Sequence, residues 1–190
     1  MAGKTQNQRS RKARYIMNKH GTCCAVIITE KFVTCGCDSY TSGGFGLLKP
    51  QSKIATLSGG DKVLIAGGVG AGQHLLNELE AHGGDFNTMN KDSWLLDITG
   101  DAKCQALLVC KDLRVFDLSG PYEACEIVSP GYYGIGSGSP FALGVIWSML
   151  AGKKSVSREM AEKVMRIAVK AACALDESCN EPIFIETLEA

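Results

Sequence analysis

The stretch GTCCAVIITEKFVTCGCD, Gly21–Asp38, decides the fold. Cys23–Thr29 is a compact run rich in β-branched residues. Glu30-Lys31 is a turn, and Phe32–Cys37 is a second run of the same kind. Two strand-type runs joined by two polar residues predict a hairpin that starts immediately at Thr22.

Upstream of it the chain changes character. Lys4, Arg9, Arg11, Lys12, Arg14 and Lys19 give the first 21 residues six positive charges and no negative one. Of 20 basic and 20 acidic residues in the whole chain, residues 22–190 therefore hold 14 and 20, a net of −6. Residues 1–21 are polar and short of large apolar residues, so they read as an unstructured arm. Three roles compete for it: a nucleic-acid-binding tail, an organellar transit peptide, or a removable propeptide. The lack of a clear apolar stripe counts against transit.

Downstream, Asp38–Pro50 carries glycine, serine and threonine and reads as a loop. Lys53–Leu57 and Lys62–Ala66 form a second strand pair around Ser58–Asp61. Gly67–Gly72 is a glycine-rich connection, and Gln73–Ala81 has a helical apolar face of Leu75, Leu76 and Leu79. Ser93–Leu96 could carry a short helix. Gln105–Cys110 and Arg114–Leu118 are strands around a turn, with Tyr122–Val128 as another. Gly131–Ser139 is a glycine-rich lead into a helix at Pro140–Leu150, where proline suits the first turn. Ser157 caps the next helix, with Glu159 in its first turn, and Met160, Val164, Ile167, Ala168, Ala171 and Leu175 mark its apolar face. Pro182–Thr187 closes as a strand. Strands joined by short turns make antiparallel sheets, and helices that come in blocks segregate onto outer faces, so the class is α+β rather than doubly wound α/β.

Composition narrows the function. At 190 residues, 45% hydrophobic and 21% charged, the chain suits one domain with a real core. Phe141–Gly152 is too short and interrupted to span a membrane, and no hydrophobic signal segment opens the chain, so a cytoplasmic location is expected. Nine cysteines are an odd number with no C-x-x-C pair, and there are only three histidines. Neither a disulfide framework nor a zinc site is expected, and most of the cysteines read as small buried hydrophobes. The Gly67–Gly72 run lacks the third glycine of the dinucleotide fingerprint, because Gln73 stands there. No P-loop or G-x-S-x-G motif is present, and neither His74 nor His82 sits in a catalytic context.

The Gly21-Thr22 junction is more informative. Thr22 opens a buried-type strand after a hydrophilic arm. Cleavage after Gly21 would give Thr22 a free α-amine with a reference pKa of ~7.7–8.0. That amine could activate the hydroxyl of its own residue in place of a histidine. Read without its context, Thr22 merely begins a strand.

Gly21-Thr22 with CCAVIIT, C-G-C-D-S at 35–39, Ser52-Lys53-Ile54, Ile65-Ala66-Gly67, G-S-G-S-P-F at 136–141 and L-D-E-S-C at 175–179 occur in this order over residues 21–188. The set resembles the proteasome β-subunit superfamily, and most of all the bacterial HslV peptidases and their phage-encoded relatives. The resemblance implies a four-layer α/β/β/α sandwich of two antiparallel sheets, the N-terminal-nucleophile hydrolase fold, over residues 22–190. It implies an autoprocessed threonine endopeptidase acting on polypeptides inside a homo-oligomeric ring, with an ATP-dependent unfoldase as partner and no cofactor or metal.

By the same resemblance Thr22 is the nucleophile, and Asp38 and Lys53 are the charged pair beside it. Ser137 and Asp176 position the threonine amine. Cys179 joins them where many members have serine. Gly67 supplies the oxyanion amide, and Thr41 and Ile65 line the pocket for the side chain before the cut bond. The sequence departs from the family in three further ways. The Asp38–Lys53 spacing is one residue short, Gly83–Asp101 is too short for the usual long second helix, and the arm is longer than the near-absent HslV propeptide. Cys23 and Cys24 follow the nucleophile, and Cys23 would need cleavage one residue later to gain a free amine. The rival reading is a non-catalytic ring or scaffold subunit whose basic arm persists and binds nucleic acid or another acidic partner. An amidase acting on small molecules would share the mechanism but not the substrate.

Overall fold

A computed structural model describes residues 21–39, 42–43, 46–47, 50–83, 104–119 and 124–190. The opening hairpin is strand β1 (Cys24–Ile28) and strand β2 (Phe32–Cys37), paired so that Cys24 faces Cys37 and Ile28 faces Val33. β3 (Ser42–Gly43) and β4 (Gly46–Leu47) pair with each other, inside the stretch expected to be loop. β5 (Ile54–Thr56) and β6 (Lys62–Gly67) are the second pair, followed by helix α1 (Val69–Ala81). Then come β7 (Cys104–Val109), β8 (Val115–Asp117), β9 (Cys125–Ile127) and β10 (Gly131–Ile135). Helices α2 (Ser139–Leu150) and α3 (Arg158–Leu175) and strand β11 (Phe184–Glu189) complete the order. The expectations for residues 1–20, Thr41 and Ser93–Leu96 lie outside the described residues.

Two antiparallel sheets result. One has four strands in the order β10-β1-β2-β11, and the other has five in the order β5-β6-β7-β8-β9. Alternation along each strand fixes the layers. Cys24, Val26 and Ile28 of β1 meet Leu64 and Ala66 of β6 and Leu107 and Val109 of β7 between the sheets. Cys23, Ala25 and Ile27 face the other way, onto Ala142 and Ile146 of α2 and Val164, Met165 and Ala168 of α3. On the far side, Val63, Ala106 and Leu108 pack against Leu75 and Leu79 of α1. Every residue of β1 and β2 is buried, which is why those strands read as unbroken apolar runs. The order of layers is helix, sheet, sheet, helix, the α+β four-layer sandwich the sequence implied.

Besides β3 and β4, two elements depart from expectation. Gly131–Ile135 is not a connection but an edge strand, bonded along the whole of β1 from Cys24↔Ile135 to Ile28↔Gly131. Its GYYGI composition hides it, because glycine is weak in strands. α1 begins at Val69, inside the glycine-rich run rather than at Gln73. A Cβ at Gly72 would come 2.8 Å from Ile65 Cγ2, so glycine lets the helix lie close on β6 at the cost of helix propensity. The expected cap of α3 is present: Ser157 Oγ accepts the Met160 N–H at 3.2 Å.

Candidate active site

The β1–β2 register brings both ends of the hairpin to one edge of the sandwich. The Cys23 carbonyl accepts the Asp38 N–H at 3.1 Å. The Cys23 N–H in turn donates to Asp38 Oδ1 at 2.8 Å. Thr22 precedes Cys23 and so lies beside Asp38, although 15 residues separate Asp38 from Cys23.

Lys53 reaches them from the other sheet. Its carbonyl accepts the Ile65 N–H at 3.0 Å, and its own N–H donates to Cys37 Sγ at 3.3 Å, so its backbone is held by both sheets. Lys53 Nζ donates to Thr22 Oγ1 at 2.9 Å and to Asp38 Oδ1 at 2.8 Å. The Asp38 side chain is fully buried and that of Lys53 is 11% exposed. Asp38 Oδ2 accepts the Asn180 N–H at 3.3 Å. A fully buried carboxylate with an ammonium and amide donors is the arrangement that makes such burial tolerable. One residue shorter than the family spacing, the Asp38–Lys53 segment still closes this pair.

A second group sits on the other side of Thr22. Asp176 ends α3, where its Oδ1 accepts the Ser178 N–H at 2.9 Å and its Oδ2 accepts the Ser137 hydroxyl at 2.6 Å. The Cys179 thiol donates to the same Oδ2 at 3.7 Å. Burial pushes the Asp176 carboxyl up, but hydrogen bonds from Ser137 and from the Ser178 amide and hydroxyl outweigh it and hold it below its ordinary value. The turn that carries Ser137 also grips the Thr22 backbone. The Gly138 N–H donates to the Thr22 carbonyl at 3.0 Å. Gly136 adopts φ +85°, and a Cβ there would run into that same carbonyl, so no other residue fits. A Cβ on Gly21 would come 2.7 Å from Ser137 Oγ and 2.9 Å from Ser178 Oγ, which places the Gly21–Thr22 peptide against this group.

The structure thus brings Thr22, Asp38, Lys53, Ser137, Asp176 and Cys179 into one cluster. Gly67 stands at the end of β6, two residues past the Lys53–Ile65 bond, opposite Cys104 and with φ +118°. Ile65 is half-buried and packs against the α1 cluster. Thr41 lies outside the described residues.

Of the cysteines near the site, Cys23 and Cys179 are held as thiols, whereas Cys37, which accepts the Lys53 N–H at 3.3 Å, is held below its ordinary value, mainly by a hydrogen bond from Cys24. Burial pushes the Cys23 thiol up, and the Asp38 charge adds to it. Burial does the same at Cys179, followed by Asp38 and Asp176. At neutral pH neither holds a reactive thiolate. All nine cysteines are free, and only Cys125 is exposed. Sequence reasoning quoted Gly136 within G-S-G-S-P-F without giving it a role, and it missed Asn180, which acts through its backbone N–H, and Gln105, whose Oε1 accepts the Gly136 N–H at 3.0 Å.

No family model and no curated protein sequence matches the chain. Solved structures do. Thiobacillus denitrificans BPH superposes with a TM-score of 0.68 at 19% identity, over 88% of this chain and 98% of that one. The same protein in complex with epoxomicin gives 0.68 at 20% identity with the same coverage. Eukaryotic HslV from Trypanosoma brucei gives 0.69 at 19% identity, over 89% of this chain and all of that one. Two antiparallel sheets between helical layers make the fold of the N-terminal-nucleophile hydrolase type. Within that class the chain has the fold of HslV, as the sequence resemblance implied.

Proposed function

We propose that the chain is a threonine endopeptidase that releases its own nucleophile by cleaving Gly21–Thr22, with residues 1–21 as a propeptide. The observation that carries this reading is the 2.9 Å contact from Lys53 Nζ to Thr22 Oγ1, made by a lysine also paired to buried Asp38. Thr22 is itself buried, so its hydroxyl meets a charged donor rather than water, which is the environment a nucleophile at this position would need.

Self-cleavage follows from the same placement. Thr22 Oγ attacks the Gly21 carbonyl carbon, the C–N bond to Thr22 breaks, and the arm is left as an ester on Thr22. The hydroxyl proton passes to the departing nitrogen, which becomes the free Thr22 α-amine, and water then hydrolyses the ester to a Gly21 carboxylate and the restored Thr22 hydroxyl. In turnover the amine takes the Thr22 hydroxyl proton as Oγ attacks a peptide carbonyl, and passes it to the leaving amine. Lys53 keeps the amine mostly unprotonated and so free to accept a proton, because like-charge repulsion lowers an amine pKa. The Gly67 N–H binds the oxyanion. Ser137, Asp176 and Cys179 orient the new amine, which would stand where the Gly21–Thr22 peptide now meets them.

The chain works as a homo-oligomeric ring on polypeptides. α2 supports this: SPFALGVIWSML has no charged residue, yet Trp147 is 61% and Phe141 40% exposed. A helix apolar all round belongs in an interior, and a second copy would supply one. An ATP-driven unfoldase would deliver unfolded chains to the ring in the cytoplasm.

Turnover of a fluorogenic peptide library tests the reading. The wild type should hydrolyse peptides and lose that activity with epoxomicin, and Thr22→Ala should have none. Small amides cleaved in place of peptides would make it an amidase, and no turnover of either would leave the scaffold reading.

A further inference from the structure

We infer that Gln105 is a positioning residue that ties the oxyanion strand to the turn holding Thr22; this rests on the peptidase reading. Gln105 lies on β7 directly opposite Ala66, the neighbour of Gly67. Leu107 and Val109, the next residues on its face, point into the space between the sheets. Gln105 therefore faces the opposite sheet too, but at the open end of the sandwich, where it is exposed.

There it crosses the gap. Its Oε1 accepts the Gly136 N–H at 3.0 Å, a bond between residues 31 apart in sequence that runs from β7 to the turn following β10 of the other sheet. The orientation of the amide is fixed chemically, since a backbone N–H demands the oxygen and not the nitrogen. Gly136 is the first residue of the turn whose Gly138 N–H holds the Thr22 carbonyl and whose Ser137 holds Asp176. The backbone of Gly136 also touches the Thr22 carbonyl, as the space at its Cα shows. Through Gln105, then, the strand pair that ends at Gly67 sets the height of the turn under Thr22. The distance between nucleophile and oxyanion amide is a distance between two sheets, and Gln105 is a polar bracket across it at that end. Misplacing reacting groups by small amounts costs rate more than binding.

The test compares Gln105→Met, which keeps the length and removes the acceptor, with Gln105→Glu, which keeps an acceptor oxygen. Amide exchange is read at Gly136 and Gly138, and arm release is timed by intact mass. With Gln105→Met both amides should exchange at least about tenfold faster. Arm release should slow by roughly three- to tenfold, the scale of one hydrogen bond. On a cleaved library peptide, kcat should fall with KM unchanged. Gln105→Glu should restore all of these. Wild-type exchange at Gly138 or wild-type arm release in Gln105→Met would overturn the inference, as would Gln105→Glu behaving like Gln105→Met. If the wild type never releases its arm, the peptidase reading fails, and exchange at Gly136 and Gly138 alone decides the bracket.

Discussion

Replacing Lys53 by methionine removes the ammonium that touches both Thr22 and Asp38. Two costs follow. The Asp38 carboxylate, fully buried, keeps the Cys23 and Asn180 amides but loses the Lys53 ammonium. Stranding one member of a buried pair costs ~3–5 kcal/mol, against ~0–1 for a surface bridge. For a domain of this size that lowers Tm by roughly 6–20 °C. The second cost is kinetic. A hydrogen bond from a charged donor to Thr22 Oγ1 is worth ~1.5–3 kcal/mol, so arm release should slow at least roughly 10- to 150-fold. Adding Asp38→Asn separates the two costs. It removes the charge and leaves Oδ1 to accept from Cys23, at the cost of the Asn180 bond to Oδ2, so only part of the lost stability should return while arm release stays slow. Thermal melts and timed intact-mass measurements read both quantities. A Tm loss of only about 2 °C in Lys53→Met would mean that the pair behaves as a surface bridge. Wild-type arm release in the double variant would refute the role of Lys53 altogether.

Other outcomes follow from the same geometry. Gly136→Ala puts a Cβ into the Thr22 carbonyl at φ +85°, so it should cost over ~2 kcal/mol in urea melts and stop arm release. Asp176 is held below its ordinary pKa, so its contribution to stability is whole above the normal carboxylate range and is lost as pH falls through and below that range. The urea midpoint of Asp176→Asn should therefore change less between pH 7 and pH 3 than that of the wild type. Cys23→Ala should still release its arm at Thr22, because the Cys23 thiol is buried and pushed up; a cut moved or lost would make the thiol part of the chemistry. Iodoacetamide on the native protein should label Cys125 first and leave Cys23, Cys24 and Cys35 untouched, as peptide mass mapping would show.

What the sequence made legible is what local patterning controls. The opening hairpin, the β5–β6 and β7–β8 pairs, and the Ser157 cap all stand within a residue or two of where composition placed them. β10 was not legible, since two glycines in five residues mask a strand whose pairing is with β1, over a hundred residues away. α1 starts early because Gly72 serves contact with Ile65 rather than the helix itself. At the site, the placement of Lys53 on Thr22 came only through resemblance, as no local signal links residues 31 apart. Gln105 gave none either: on its own strand it is an exposed polar residue, and its partner lies in the turn that follows β10.

The most direct test is the intact mass of the purified full chain beside its Thr22→Ala variant. The account predicts a wild-type chain that begins at Thr22 and a variant that keeps residues 1–21. A wild-type chain that keeps its arm would contradict it, because no threonine amine would then exist. An arm removed equally from both would show that another protease makes the cut.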